Sequence, residues 1–145
     1  MEKSLYITKI GNYNDLFKSA QTVREKVFVD EQGDTHDNEF DPFDRSATHV
    51  VIFDGEAPIA TARLIFKDAQ WQIGRVAVLI EYRGQKLGAR VMIDLLEYAK
   101  TKNTNEIHIH SQCHAQGFYE KLGFRPYGEV FVEADIDHIS MVWVK

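Results

Sequence analysis

The stretch Arg75-Val76-Ala77-Val78-Leu79-Ile80-Glu81-Tyr82-Arg83-Gly84-Gln85-Lys86-Leu87-Gly88-Ala89 changes its periodicity halfway along. Its first part closes an apolar strand. From Leu87 onward Leu87, Val91, Leu95 and Tyr98 or Ala99 recur at helical spacing, so a helix is predicted over 87–102. Gly84 and Gly88 bracket the turn between them. The first N–H groups of a helix lack intrahelical partners, and the helix dipole is positive at that end. Glycine lets the backbone approach a ligand closely. Such a junction suits a pyrophosphate, and Arg83 and Lys86 add positive charge. A purely structural junction would use two glycines as well, so the surroundings must decide.

Upstream, residues 5–10 alternate as a strand ended by Gly11 and Asn12. A helix is expected from Asn14, with Leu16, Ala20, Val23 and Val27 on one face and Phe28 widening it. Residues 32–45 carry Gly33, Pro42 and four aspartates without a period, which predicts a long loop with at most a helical turn. Three strands follow as a meander, over 48–53, 57–66 and 71–79. Downstream of the helix, Ile107 and Ile109 mark a strand. Residues 115–122 read as a short helix closed by Gly123, and strands over 129–133 and 138–144 end the chain. The sum is one α/β (α+β) domain spanning 1–145. Its sheet is mostly antiparallel, with one parallel pair in the central strand-helix-strand unit.

The 145 residues are enough to bury a core without staples, and 44% of them are apolar. Seventeen basic against 22 acidic side chains give a net charge of −5, with no basic run. A nucleic-acid or anionic-membrane surface is therefore not expected, while a cationic amine partner suits the balance. Cys113 is a lone cysteine and cannot form an internal disulfide. MEKSLYITKI has no long apolar region, so the expectation is a cytoplasmic protein with no signal peptide. His108, His110 and His114 lie close in sequence, but no thiolate or acidic spacing completes a metal site, so none is expected.

A second motif settles the junction. Gln112-Cys113-His114-Ala115-Gln116-Gly117-Phe118-Tyr119-Glu120-Lys121-Leu122-Gly123-Phe124 resembles motif B of the GCN5-related N-acetyltransferases (GNAT) in Ala115, Phe118, Tyr119, Gly123 and Phe124. The first stretch resembles the same family's motif A, Arg/Gln-x-x-Gly-x-Gly/Ala, through Arg83, Gly88 and the preceding Arg75 to Val78. Lys86 stands where that family usually has Gly, and Gln112 where it has Asn. Residues 23–32 are similar to the small bacterial acetyltransferases related to ElaA.

The resemblance implies a GNAT-type domain whose sheet splays around the central unit. It also implies acetyl transfer from acetyl-CoA to a primary amine of a small molecule or a lysine side chain, by direct attack in a ternary complex and without a metal. The coenzyme residues it implies are Val76, Ala77, Val78, Arg83, Gly84, Gln85, Lys86, Leu87, Gly88, Ala89, Gln112 and Phe118. Val76 to Val78 would pair with the pantetheine arm and polarise the thioester carbonyl through a backbone N–H. Tyr119 would be the general acid, since a phenol of pKa ~10 can protonate a thiolate whose thiol titrates near ~8.5. Phe28, Gln32, Asp41, Asp44 and His138 would line the acceptor site. Glu39, Asp41, Asp44, Glu81, His110 and His138 all remain open as the base. The N-terminal half is also similar to acyl-homoserine-lactone synthases in Arg24, Phe28, Asp41, Asp44 and Arg63, which offers an alternative acceptor chemistry. A non-catalytic acyl-CoA sensor is the third reading. Pairing of the terminal strands in a homodimer is left open by the sequence.

Overall fold

The computed structural model describes residues 6–33 and 40–145. Leu5, at the start of the first expected strand, and Glu39, one of the candidate bases, lie outside them. Strand β1 (Ile7–Gly11) leads into helix α1 (Tyr13–Arg24). Asn12 caps that helix by accepting a hydrogen bond from the Asp15 N–H. The stripe Leu16, Ala20, Val23, Val27 is buried throughout, and Arg24 is buried beside it. The helix then loosens into a π-helical segment, Glu25–Glu31, which the apolar spacing did not announce. After the undescribed loop residues, Pro42–Arg45 forms one 3-10 turn, capped by the Asp41 carboxylate on the Phe43 N–H.

The meander is β2 (Thr48–Asp54), β3 (Ala57–Lys67) and β4 (Gln70–Val78). A 3-10 turn at Ile80–Tyr82 carries the chain to α2 (Leu87–Thr101), and β5 (Glu106–Gln112) follows. The motif-B segment is a 3-10 turn (Cys113–Ala115) running into a short helix, α3 (Gln116–Glu120). It closes at Gly123, whose φ of 101° suits glycine, and the Phe124 N–H bonds back to the Tyr119 carbonyl. Strands β6 (Arg125–Glu133) and β7 (Ile136–Val144) complete one seven-stranded sheet in the order β1-β2-β3-β4-β5-β7-β6. Pro126 lies within β6, an edge strand, where a missing N–H is tolerated.

Two features of this sheet position the site. First, β4 carries an extra residue. Thr61 pairs with Ala77 and Arg63 with Gly74, so two steps on β3 face three on β4, and Arg75 takes up the bulge at φ 54°. Second, β4 and β5 are the only parallel pair among the described residues, and they register at Gln72 and His108 alone. Beyond that point β4 stays with β3 and β5 stays with β7, so the sheet opens into a wedge.

The strand period assigns the two faces. Val51 packs with Leu16 and Ala20 of α1, whereas Val50 and Ile52 join the core that contains Val91, Leu95 and Ala99 of α2. Register carries the α1 face through His49, Arg63 and Gln72 to His108, His110 and Gln112. Ile107 and Ile109 are buried on the opposite face of β5.

Candidate active site

The wedge begins at the end of β4. Leu79 donates its N–H to the Ile59 carbonyl on β3, at 2.9 Å. By alternation Ala77 also turns its backbone toward β3, while the N–H and C=O of Val78 face away from β3, into the wedge. The Val78 carbonyl is occupied by Arg83, whose Nε donates to it at 3.0 Å. The other two Arg83 nitrogens donate to the Glu31 carboxylate at 2.8 and 2.7 Å. Arg83 thereby ties the π-helical segment to the end of β4. Sequence reasoning gave Glu31 no role; only its position beside the family-like Val-Phe-Val segment could have marked it.

The loop that follows leads into α2. Gly84 adopts φ 85° and Lys86 φ 65°, both left-handed. Lys86 is the N-cap of α2 and makes no side-chain cap bond. The first intrahelical bond runs from the Arg90 N–H to the Lys86 carbonyl, at 3.1 Å. The N–H groups of Leu87, Gly88 and Ala89 therefore precede the helical ladder. Leu87 is buried and anchors the turn to the core. The Gln85 side chain accepts a bond from the Tyr6 hydroxyl, and Arg90 donates to the Tyr6 carbonyl, so the residue just before β1 braces the loop.

Motif B meets this loop directly. A Cβ built on Gly88 would lie 3.6 Å from Cζ of Phe118 and 3.9 Å from Cγ2 of Val78. The strand end, the loop and α3 therefore converge on one spot, at which Gly88 leaves room for the Phe118 ring. Tyr119 packs beside Phe118 and Phe124, at ring separations of 4.9 and 6.0 Å. Burial raises its hydroxyl pKa above the ordinary value, which keeps the phenol protonated.

The residues expected to line the acceptor site form a different kind of surface. Asp44 is buried, bonded to Arg24 at 2.7 Å and to Arg63 at 2.8 Å. Burial alone would raise its carboxyl, but the two guanidinium groups outweigh that and hold its pKa below the usual range. Asp41 bonds Arg63 and, at 3.3 Å, Arg75; its carboxyl is also lowered, the arginines outweighing burial. The buried His49 donates through its ring to the Asp44 carbonyl at 3.0 Å. Asp41 and Asp44 are thus charge-balanced members of an Arg24–Arg63–Arg75 network. Of these arginines, the synthase resemblance named Arg24 and Arg63 from sequence, and motif A named Arg75. Phe28 packs against the main core, and Gln32 is exposed after the π-helical segment.

On β5 and β7, Gln112 faces His138 across the strand pair. His138 is buried, with Nδ1 2.8 Å from the Ile136 carbonyl and its ring stacked on Phe131. Among the described residues, no group of three or more His, Cys, Asp or Glu is placed to hold a metal, and no helix is long and apolar enough to cross a membrane. Surface hollows around Thr8, Arg90 and Tyr98, and around Lys9, Asp15 and Phe53, carry none of the predicted site residues.

Residues 18–145 match the family model described as "Acetyltransferase (GNAT) domain". An uncharacterized N-acetyltransferase of Bacillus subtilis, YjcF, is 32% identical over 134 residues, which is 92% of this chain and 96% of that protein. The crystal structure of Escherichia coli ElaA superposes with a TM-score of 0.85 at 27% identity, covering 96% of this chain and 99% of the other. That of an acyl-CoA N-acyltransferase from Pseudomonas aeruginosa gives 0.86 at 27% identity, with the same coverage.

Proposed function

The chain belongs to the GNAT acetyltransferase family, and on that premise we propose that it moves an acetyl group from acetyl-CoA to a primary amine of a small molecule or a lysine side chain. The observation that carries this reading is the convergence of Val78, Gly88 and Phe118 at the mouth of a wedge whose strands part after a single register pair. An extended pantetheine arm would enter that wedge as a strand and pair with the outward-facing backbone of Val78 and Val76. Ala77 would hold the strand against β3. The pyrophosphate would rest on the N–H groups of residues 84–89, with the Lys86 ammonium beside it and Gln85 held by Tyr6. Because Arg83 is bonded to Val78 and Glu31, its contribution is to shape the cradle's entrance. Direct contact with phosphate would require an exchange with Glu31.

The reaction then balances as follows. The amine nitrogen attacks the thioester carbon, and the developing oxyanion takes a wedge-facing backbone N–H. The C–S bond breaks as the Tyr119 hydroxyl gives its proton to the departing sulfur. The proton shed by the amine restores the phenol, through a base or water. The acceptor would sit across the wedge, near Phe28, Gln32, Asp41 and His138, with Asp44 stabilising the wall beneath it. Activity is tested by mixing the chain with acetyl-CoA and a panel of primary amines and following release of the CoA thiol. Amine-dependent release is expected. Coenzyme binding without release from any amine would leave a sensor instead of an enzyme.

A further inference from the structure

The α1 face of β5, β7 and β6 carries three imidazoles, and they are not equivalent. His108 lies deep, with Nδ1 2.7 Å from the Tyr127 hydroxyl and Nε2 3.7 Å from Glu106. His138 is buried, with Nδ1 on a carbonyl of its own strand. His110 is exposed, and its Nδ1 lies 3.1 Å from Oε1 of Glu133 on β6. Phe131 packs against the His110 ring in a T-shaped pair with centroids 5.2 Å apart, and it also stacks on His138. A carboxylate on Nδ1 fixes the tautomer with the proton on that nitrogen and leaves Nε2 as the accepting nitrogen. The same carboxylate stabilises the imidazolium formed when Nε2 takes a proton.

The dyad also stands in the right place. His108 is the last residue of β5 in register with β4, so His110 comes where β4 bulges at Arg75 and the wedge opens. Its hydrogen bond to His110, together with the nearby charges of His110, His138 and Arg75, keeps Glu133 ionised below its ordinary range against the opposing effect of burial. Arg75, whose charge acts on Glu133, bonds Asp41.

We propose that His110 accepts the proton of the acceptor amine, with Glu133 positioning it. This rests on the acetyl-transfer reading above. The proton leaves the attacking nitrogen for Nε2 of His110 as the C–N bond forms; the imidazolium then passes it through water to the Tyr119 phenolate that remains once the departing sulfur has taken the phenol's proton. Glu133 touches no reacting atom. Glu133 contacts the ring directly, the charges of His138 and Arg75 act on Glu133, Asp41 bonds Arg75, and His108 lies two residues back on the same strand face.

The test compares wild type, His110→Ala and Glu133→Gln in the thiol-release assay with the best amine of the panel. Acetyl-CoA melting shifts are recorded in parallel. His110→Ala is expected to lower kcat by about 100-fold, the low end of general-base contributions. It should also remove the acid limb of the kcat–pH profile, and added imidazole should restore part of the rate. KM for acetyl-CoA should not move. Glu133→Gln should give a smaller loss and a displaced acid limb. A wild-type kcat and pH profile in His110→Ala would overturn the inference while leaving acetyl transfer standing. A chain that binds acetyl-CoA but releases thiol to no amine, or does not bind it, would remove the inference together with the reading beneath it.

Discussion

Lys86 shows how one residue can depart from a motif without undoing it. The position needs a left-handed backbone, and Lys86 supplies it at φ 65° where glycine would do so without a Cβ penalty. Lys86→Gly is therefore expected to raise stability by about 0.5–1 kcal/mol in a denaturant melt. It should also weaken acetyl-CoA binding if the ammonium contacts phosphate; unchanged affinity would assign the phosphates to the backbone alone. Tyr119→Phe removes the proposed proton donor but keeps the ring against Phe118 and Phe124. Its kcat should fall while coenzyme affinity holds, and an unchanged rate would take Tyr119 out of the mechanism. Asp44 has a structural assignment. Asp44→Asn leaves Arg24 and Arg63 buried with less compensation, and about 3–5 kcal/mol of stability should be lost. Neither the burial of Arg24 nor the balancing of Asp44 was legible in residues 20–45 taken as a string. Their contacts join residues far apart in sequence, which local periodicity does not record.

At the scale of elements, the strand–loop–helix junction could be read because its physics is local. A period change, two glycines and an exposed helix terminus are all visible within fifteen residues. The α1 stripe and the short helix ended by Gly123 were legible for the same reason. The π-helical segment Glu25–Glu31 was not, because an i to i+5 ladder needs no distinctive composition. The bulge at Arg75 was hidden too, since Arg rather than Gly holds its positive φ. The join between loop and motif B makes a graded prediction. Gly88→Ala places a Cβ in ordinary contact with Phe118 and Val78 and should bind acetyl-CoA much as the wild type does. Gly88→Val adds two methyl groups at the same spot, displaces the Phe118 ring and should weaken coenzyme binding by at least about tenfold, an effect of ~1.4 kcal/mol. Titration calorimetry of both variants checks this. Equal affinities would mean that Phe118 does not brace the cradle.

For the whole molecule, the charged network beneath α1 sets the response to acid. His49 is buried neutral and its pKa is lowered, chiefly by burial, so the unfolded chain takes up that proton first. Stability should begin to fall as pH drops below about 6.5, the unfolded value for His. Asp41 and Asp44 are also lowered in the fold, so their contribution is present above about 4 and lost as pH falls through their folded values. Melting temperature against pH should thus decline in two stages, and His49→Gln should flatten the first; a decline unaltered by that substitution would assign it elsewhere. The element order and the splayed sheet make the wedge a property of the entire fold, and the account depends on that wedge taking acetyl-CoA. The most direct test is a thermal melt of the full chain with and without acetyl-CoA. At a free concentration of about 100 times Kd, binding should stabilise the protein by about 2.7 kcal/mol and raise the melting temperature, while S-adenosylmethionine should leave it in place. A melting temperature unmoved by acetyl-CoA would contradict the account.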